Sequence, residues 1–125
     1  MSKKVLVIDD DSFIRTVVGM ALGGSEWSVV EASSGAQGLE LARAGNVDAI
    51  LLDVIIPDMS GTEIYAELTA DPSTSGIPVI FLSAATDEAE RLKATGALGI
   101  IDKPFDPMTF SQTFTDLLSR AKKGP

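Results

Sequence analysis

The sequence predicts an α/β domain, a parallel and doubly wound sheet of five strands between two layers of helices. Three observations carry that expectation. Short, almost wholly apolar runs recur at Val5-Leu6-Val7-Ile8, Ala49-Ile50-Leu51-Leu52 and Val79-Ile80-Phe81-Leu82. Runs of this length without polar alternation suit strands buried on both faces. Segments with helical spacing separate them, and turn or capping residues stand at most of the boundaries. A regular β-α-β series with right-handed crossovers winds helices onto both faces of one sheet.

The first strand, Val5 to Ile8, leads into a helix on which Ile14, Val17, Val18, Ala21 and Leu22 share a face. Ser12 is placed as its N-cap, with Gly23-Gly24 beyond its end. The second strand, Ser28-Val29-Val30-Glu31-Ala32, is more mixed, and Trp27 before it reads as packing. Ser34 caps a second helix that carries Leu39 and Ala42 inward and stops at Gly45. Ala49 to Leu52 form the third strand, Ile64 and Leu68 mark the third helix, and Val79 to Leu82 the fourth strand. A fourth helix over about Asp87 to Thr95 begins with Asp87, Glu88 and Glu90 and continues with Arg91 and Lys93, the order a helix dipole favours, before Gly96. Gly99-Ile100-Ile101 is the weakest strand. The last helix is the clearest, because Phe110, Phe114, Leu117, Leu118 and Ala121 repeat on one face after the cap and first-turn pair Asp106-Pro107. Its phenylalanine stripe reads as core.

A length of 125 residues leaves room for one domain, expected over residues 1–122, with 123–125 as a tail and no separate output domain. The hydrophobic share of 45% argues against disorder. Eighteen acidic against ten basic residues leave a net charge of −8, which repels nucleic acid and anionic membranes. The chain has no Cys, so thiol nucleophiles, thiolate metal sites and disulfides are excluded. It has no His, which excludes serine-type triads, imidazole ligands and a phosphohistidine carrier role. No stretch approaches the roughly 18 apolar residues of a membrane span. The expected location is cytoplasmic.

Ligands of doubly wound sheets bind beyond the carboxyl ends of the strands. Four strand ends carry polar groups there: Asp9-Asp10-Asp11, Asp53, Ser83 and Asp102-Lys103. Asp9, Asp10 and Asp53 in one crevice would raise each other's pKa unless compensated. A hard divalent cation with oxygen ligands compensates them, and Mg²⁺ favours one or two carboxylates plus phosphate oxygens. Lys103 adds the positive charge a phosphoryl group needs, and Ser83 a hydroxyl donor. A carboxylate nucleophile, a metal, an ammonium and a hydroxyl together make a phosphoryl-transfer site. Each has a plainer reading alone: the Asp run as a capped helix start, Asp53 as a strand-end cap, Ser83 as a turn cap. Their combination favours the functional one. Asp11 and Asp102 read as bystanders, and Asp58 as solvated in its turn. No glycine-rich phosphate loop follows the first strand, which disfavours nucleotide and flavin binding.

The stretches Val5-Leu6-Val7-Ile8-Asp9-Asp10-Asp11-Ser12-Phe13-Ile14-Arg15, Leu52-Asp53-Val54-Ile55-Ile56-Pro57-Asp58-Met59-Ser60-Gly61, Leu82-Ser83-Ala84 and Lys103-Pro104-Phe105 resemble the response-regulator receiver domain of two-component signalling, of the stand-alone chemotaxis type. The resemblance covers nearly the whole chain. It implies a flavodoxin-like (βα)5 fold with strand order 2-1-3-4-5, an order taken from the family rather than from the residues. It implies that Asp53 accepts a phosphoryl group from a phosphohistidine of a histidine kinase or histidine phosphotransfer protein. Asp10 would then ligate Mg²⁺ or Mn²⁺ directly and Asp9 largely through water, with Asp53 and the backbone carbonyl of Ile55 completing the protein's share. Ser83 would be the switch hydroxyl and Lys103 the phosphoryl partner, aimed by a cis Lys103-Pro104 bond. Signalling would pass to a downstream protein through the face of the fourth helix, fifth strand and fifth helix, by a monomer or a phosphorylation-dependent dimer.

The chain departs from the family pattern in three ways. Ile100 stands where chemotaxis-type members have an aromatic residue that swings inward, so an aromatic switch is not expected there. The span from Ser83 to Lys103 is a little short for the family. Ile55 and Ala85, two after Asp53 and Ser83, are apolar and cannot orient a hydrolytic water, so slow self-dephosphorylation is expected. Two other readings remain open at this stage. A small Mg²⁺-dependent aspartyl-phosphate phosphatase would also use Asp53, but Ile55 occupies the place of that class's second Asp. A pseudo-receiver would dock partners without phosphorylation.

Overall fold

The computed structural model describes residues 3–23, 26–83, 92, 95–103 and 105–122. The apolar runs form strands β1 (Lys3–Ile8), β2 (Trp27–Ala32), β3 (Ala49–Asp53), β4 (Val79–Ser83) and β5 (Gly99–Asp102). Helices α1 (Ser12–Leu22), α2 (Gly35–Arg43), α3 (Gly61–Ala70) and α4 (Pro107–Lys122) lie in sequence between or after them. The strands form one parallel sheet ordered β2-β1-β3-β4-β5, the flavodoxin-like order expected from the resemblance.

Successive strand residues face opposite sides, so each central strand feeds two cores. Leu6, Ile8, Ile50, Leu52, Val79 and Phe81 join Leu39, Ala42, Ile64 and Leu68 of α2 and α3. Val5, Val7, Leu51, Ile80 and Leu82 join Val18, Leu22, Phe110, Phe114 and Leu117 of α1 and α4 on the other side. All five residues of β3 and of β4 are buried, which is why those runs show no polar alternation. The edge strand β2 is half exposed, matching its mixed sequence. Trp27 packs edge-on against Phe114, with ring centres 5.0 Å apart.

Local signals set the helix ends, with one correction. Asp11, not Ser12, is the N-cap of α1: its extended backbone lets its carboxylate accept the Phe13 N–H at 2.9 Å, and Ser12 becomes the first helical residue. Ser34 caps α2 and Asp106 accepts the Met108 N–H, as expected. Ser60 and Glu63 add a reciprocal capping box at α3. The expected helix over about Asp87 to Thr95 lies outside the described residues except for Leu92 and Thr95, and so do Ala85, the Lys103-Pro104 bond and residues 123–125. Leu92 is buried in the core beneath α2 and α3.

The register brings the strand ends together stepwise. Ile8 pairs with Leu52, so Asp9 and Asp53 leave neighbouring strands at one level. Asp53 pairs with Leu82 and Ser83 with Asp102, which brings Ser83 and Lys103 to the same edge.

Candidate functional site

The carboxyl edge gathers Asp9, Asp10 and Asp53, each offering a carboxylate oxygen within 4.8 Å of the others. Lys103 joins them from just past the end of β5. Its Nζ lies 2.9 Å from Asp9 Oδ2 and 3.1 Å from Asp53 Oδ1. The Lys103 N–H donates to the Ser83 carbonyl at 2.7 Å, so the end of β4 holds the backbone from which the ammonium reaches.

The three carboxylates are not equivalent. Asp9 is fully buried, and both of its oxygens have protein donors: Oδ1 takes the Asp11 N–H at 2.9 Å and Oδ2 takes Lys103. Asp10 is exposed. Asp53 is 8% exposed and also accepts the Ile55 N–H. Asp9 is therefore a fixed negative wall, while Asp10 and Asp53 can turn oxygens to a ligand.

The charges do not balance. Burial, then the charge of Asp9, pushes the Asp53 carboxyl up to about 6, against the opposing pull of Lys103 and the Ile55 N–H. For Lys103, burial works against the charge, but the Asp9 hydrogen bond and the charges of Asp53 and Asp9 outweigh it and hold the ammonium above the usual lysine range. Three carboxylates against one ammonium leave two negative charges, in an all-oxygen donor set. That is the deficit a hard divalent ion fits. Thiolate- or imidazole-seeking metals find no ligand in a chain without Cys or His.

Ile55 follows Asp53 by two residues, and its side chain is 73% exposed beside the cluster. Ser83 is buried at the end of β4, one step beyond the partner of Asp53. Asp102 is exposed and stands clear of the three-carboxylate group, as a bystander would.

Two features escaped the sequence reading, and the turn at Gly61 proved tighter than expected. Arg15 donates Nη1 to the Asp9 carbonyl at 2.7 Å and Nε to Glu31 at 3.0 Å. Its signal was a lone cation one helical turn past the Asp run. Asp58 is exposed as expected but not merely solvated: its two oxygens accept the Gly35 and Ala36 N–H groups at 2.9 and 3.1 Å, tying the loop after β3 to the start of α2. Those N–H groups hold its carboxyl below the usual range. Gly61 returns that loop against β3, donating its N–H to the Val54 carbonyl at 2.7 Å. A Cβ at Gly61 would collide with the Asp53 carbonyl oxygen, so only glycine lets the loop approach so closely.

Comparison with known proteins agrees with this fold. A family model described as the response regulator receiver domain matches residues 5–115. The transcriptional regulatory protein SrrA of Staphylococcus aureus is 34% identical over 124 residues, covering 98% of this chain and 50% of SrrA. The chain thus spans about half the length of the curated relatives it matches. Among solved structures, the chemotaxis response regulator CheY4 of Vibrio cholerae superposes with a TM-score of 0.86 at 30% identity, covering 94% of this chain and 99% of that one. A response regulator receiver domain from Clostridium thermocellum gives 0.82 at 28% identity, over 96% and 97% of the two chains.

Proposed function

The chain belongs to the response regulator receiver domain family of two-component systems, and on that premise we propose that Asp53 is its phosphoacceptor, loaded from a phosphohistidine with the help of Asp9, Asp10, Lys103 and Ser83. The observation that carries this reading is the ammonium of Lys103 set between Asp9 and Asp53, with Asp10 alongside.

In the proposed reaction an ionised Asp53 oxygen attacks phosphorus. The P–N bond to the donor imidazole breaks, the imidazole leaves and takes up a proton, and an aspartyl phosphate remains. Lys103, already paired with Asp53, pairs with the phosphoryl oxygens as they arrive and stays anchored through Asp9. A Mg²⁺ or Mn²⁺ ion held by Asp10, Asp53 and the Ile55 carbonyl, with Asp9 outside them, would neutralise the charge that gathers on those oxygens. Ser83 donates its hydroxyl to the new group, and its movement relays occupancy toward a partner-binding face that includes β5, α4 and the helix expected from the sequence before β5. With Ile100 at the middle of β5 the relay does not use an aromatic side chain there. The proposed partners are a histidine kinase or histidine phosphotransfer protein upstream and a protein reader downstream, in the cytoplasm. Among the described residues no helix is long and apolar enough to cross a membrane. Turnover is limited to the domain's own phosphorylation and slow autodephosphorylation.

Intact-mass measurement after incubation with acetyl phosphate tests this. The wild type with Mg²⁺ should gain one phosphoryl mass, and the same protein in EDTA, or Asp53→Asn with Mg²⁺, should gain none. An unmodified wild type, or an equal adduct on Asp53→Asn, overturns the proposal.

A further inference from the structure

Arg15 sits at the start of the second turn of α1 with its side chain only 16% exposed. Its two hydrogen bonds differ in kind. The one to Glu31 reaches a carboxylate that is 51% exposed, and a pair so open to water adds little by itself. The other, 2.7 Å from Nη1 to the Asp9 carbonyl, is charge-assisted and touches a fully buried residue. That carbonyl belongs to the peptide linking Asp9 to Asp10. Asp9 is already fixed by its N–H to Ala32 at 3.1 Å and by both side-chain oxygens. The outward-facing side of the residue, from which Asp10 departs, is held by Arg15.

We propose that Arg15 is a positioning residue that locks the Asp9-Asp10 peptide plane and so presents the Asp10 carboxylate to a divalent ion shared with Asp53. The exposed Glu31 pair is not needed for this role. The inference rests on the metal site proposed above. It acts on the affinity for the ion, and not on the nucleophile: Arg15 has no contact with Asp53 or Lys103 among its hydrogen bonds.

A role as a simple tie between α1 and β2 makes a different prediction, because that role runs through the Glu31 bond. Mn²⁺ affinity, measured by calorimetry on the full chain, separates the two. Arg15→Met keeps most of the aliphatic stem and removes every donor. It should weaken Mn²⁺ binding about tenfold, the lower end of what loss of an outer-shell partner costs. Glu31→Gln should bind close to wild type. In acetyl phosphate reactions the Mg²⁺ concentration for half-maximal rate should rise by the same factor in Arg15→Met, with the rate at saturating Mg²⁺ close to wild type. Unchanged Mn²⁺ affinity in Arg15→Met, or an equal loss in Glu31→Gln, overturns the inference. If Arg15→Met does not fold, Arg15→Lys decides: one ammonium cannot serve both acceptors in the guanidinium geometry, so a severalfold loss is expected, and wild-type affinity refutes the role. A wild-type chain that binds no Mn²⁺ would instead sink the proposed metal site itself.

Discussion

Removing the charge of Asp53 should make the metal-free protein more stable, and the gain should depend on pH. The Asp53 carboxyl is pushed up from an ordinary 3.8 to about 6, first by burial and then by Asp9. Between those values the folded chain binds a proton that the unfolded chain does not, so wild-type stability falls as pH rises through the window and levels off above it. A shift of that size corresponds to about 3 kcal/mol at 1.36 kcal/mol per unit. Water reaching the exposed side of the cluster reduces this, and about 1–2 kcal/mol is expected for Asp53→Asn at pH 7.5. Urea unfolding in EDTA, followed from about pH 4 to 8, gives the difference directly. It should be near zero at the acid end and grow to its full value above pH 6. Mg²⁺ should then reverse the order by stabilising the wild type, since a ligand that binds only the folded state adds to its stability. A variant no more stable than wild type in EDTA at pH 7.5, or a difference that ignores pH, would refute the electrostatic reasoning.

Other substitutions probe the same arrangement from other sides. Lys103→Ala leaves Asp9 buried without its cation, which should cost about 2–4 kcal/mol in urea unfolding at neutral pH and abolish the acetyl phosphate adduct; unchanged stability would contradict the buried pair. Gly61→Ala forces a methyl group onto the Asp53 carbonyl and should depress both the unfolding midpoint and the phosphorylation rate, whereas Gly76→Ala, with open space at its Cβ, should do neither. Ile55→Asn puts an amide where an exposed apolar side chain flanks Asp53, and should shorten the phosphoryl lifetime followed by mass; an equal or longer lifetime would count against it.

How much of this was legible beforehand depended on how local each cause was. The central strands announced themselves because burial on both faces demands continuous apolar runs, and α4 because one face carries Phe110, Phe114 and Leu117. The strand order came from the family, since nothing in β2 or β5 alone says which strand each lies beside. The acidic cluster was readable because Asp9, Asp10, Asp53 and Lys103 each stand at or just past the end of a strand. What escaped was specified by partners on other elements of the fold. The roles of Arg15 and Asp58 appear only once β2 and the start of α2 are in place, and both acceptors of Arg15 and both donors to Asp58 come from other elements. The cap of α1 was a close local competition: adjacent Asp11 and Ser12 can both cap, and the extended backbone at Asp11 decided it.

The central claim is that one carboxylate of the three becomes the acyl phosphate. Borohydride reduces an aspartyl phosphate to homoserine, which marks the position in a peptide map. After incubation of the wild type with acetyl phosphate and Mg²⁺, homoserine is expected at position 53 alone. Homoserine at position 9 or 10, or none in a chain that has gained phosphoryl mass, would contradict the account.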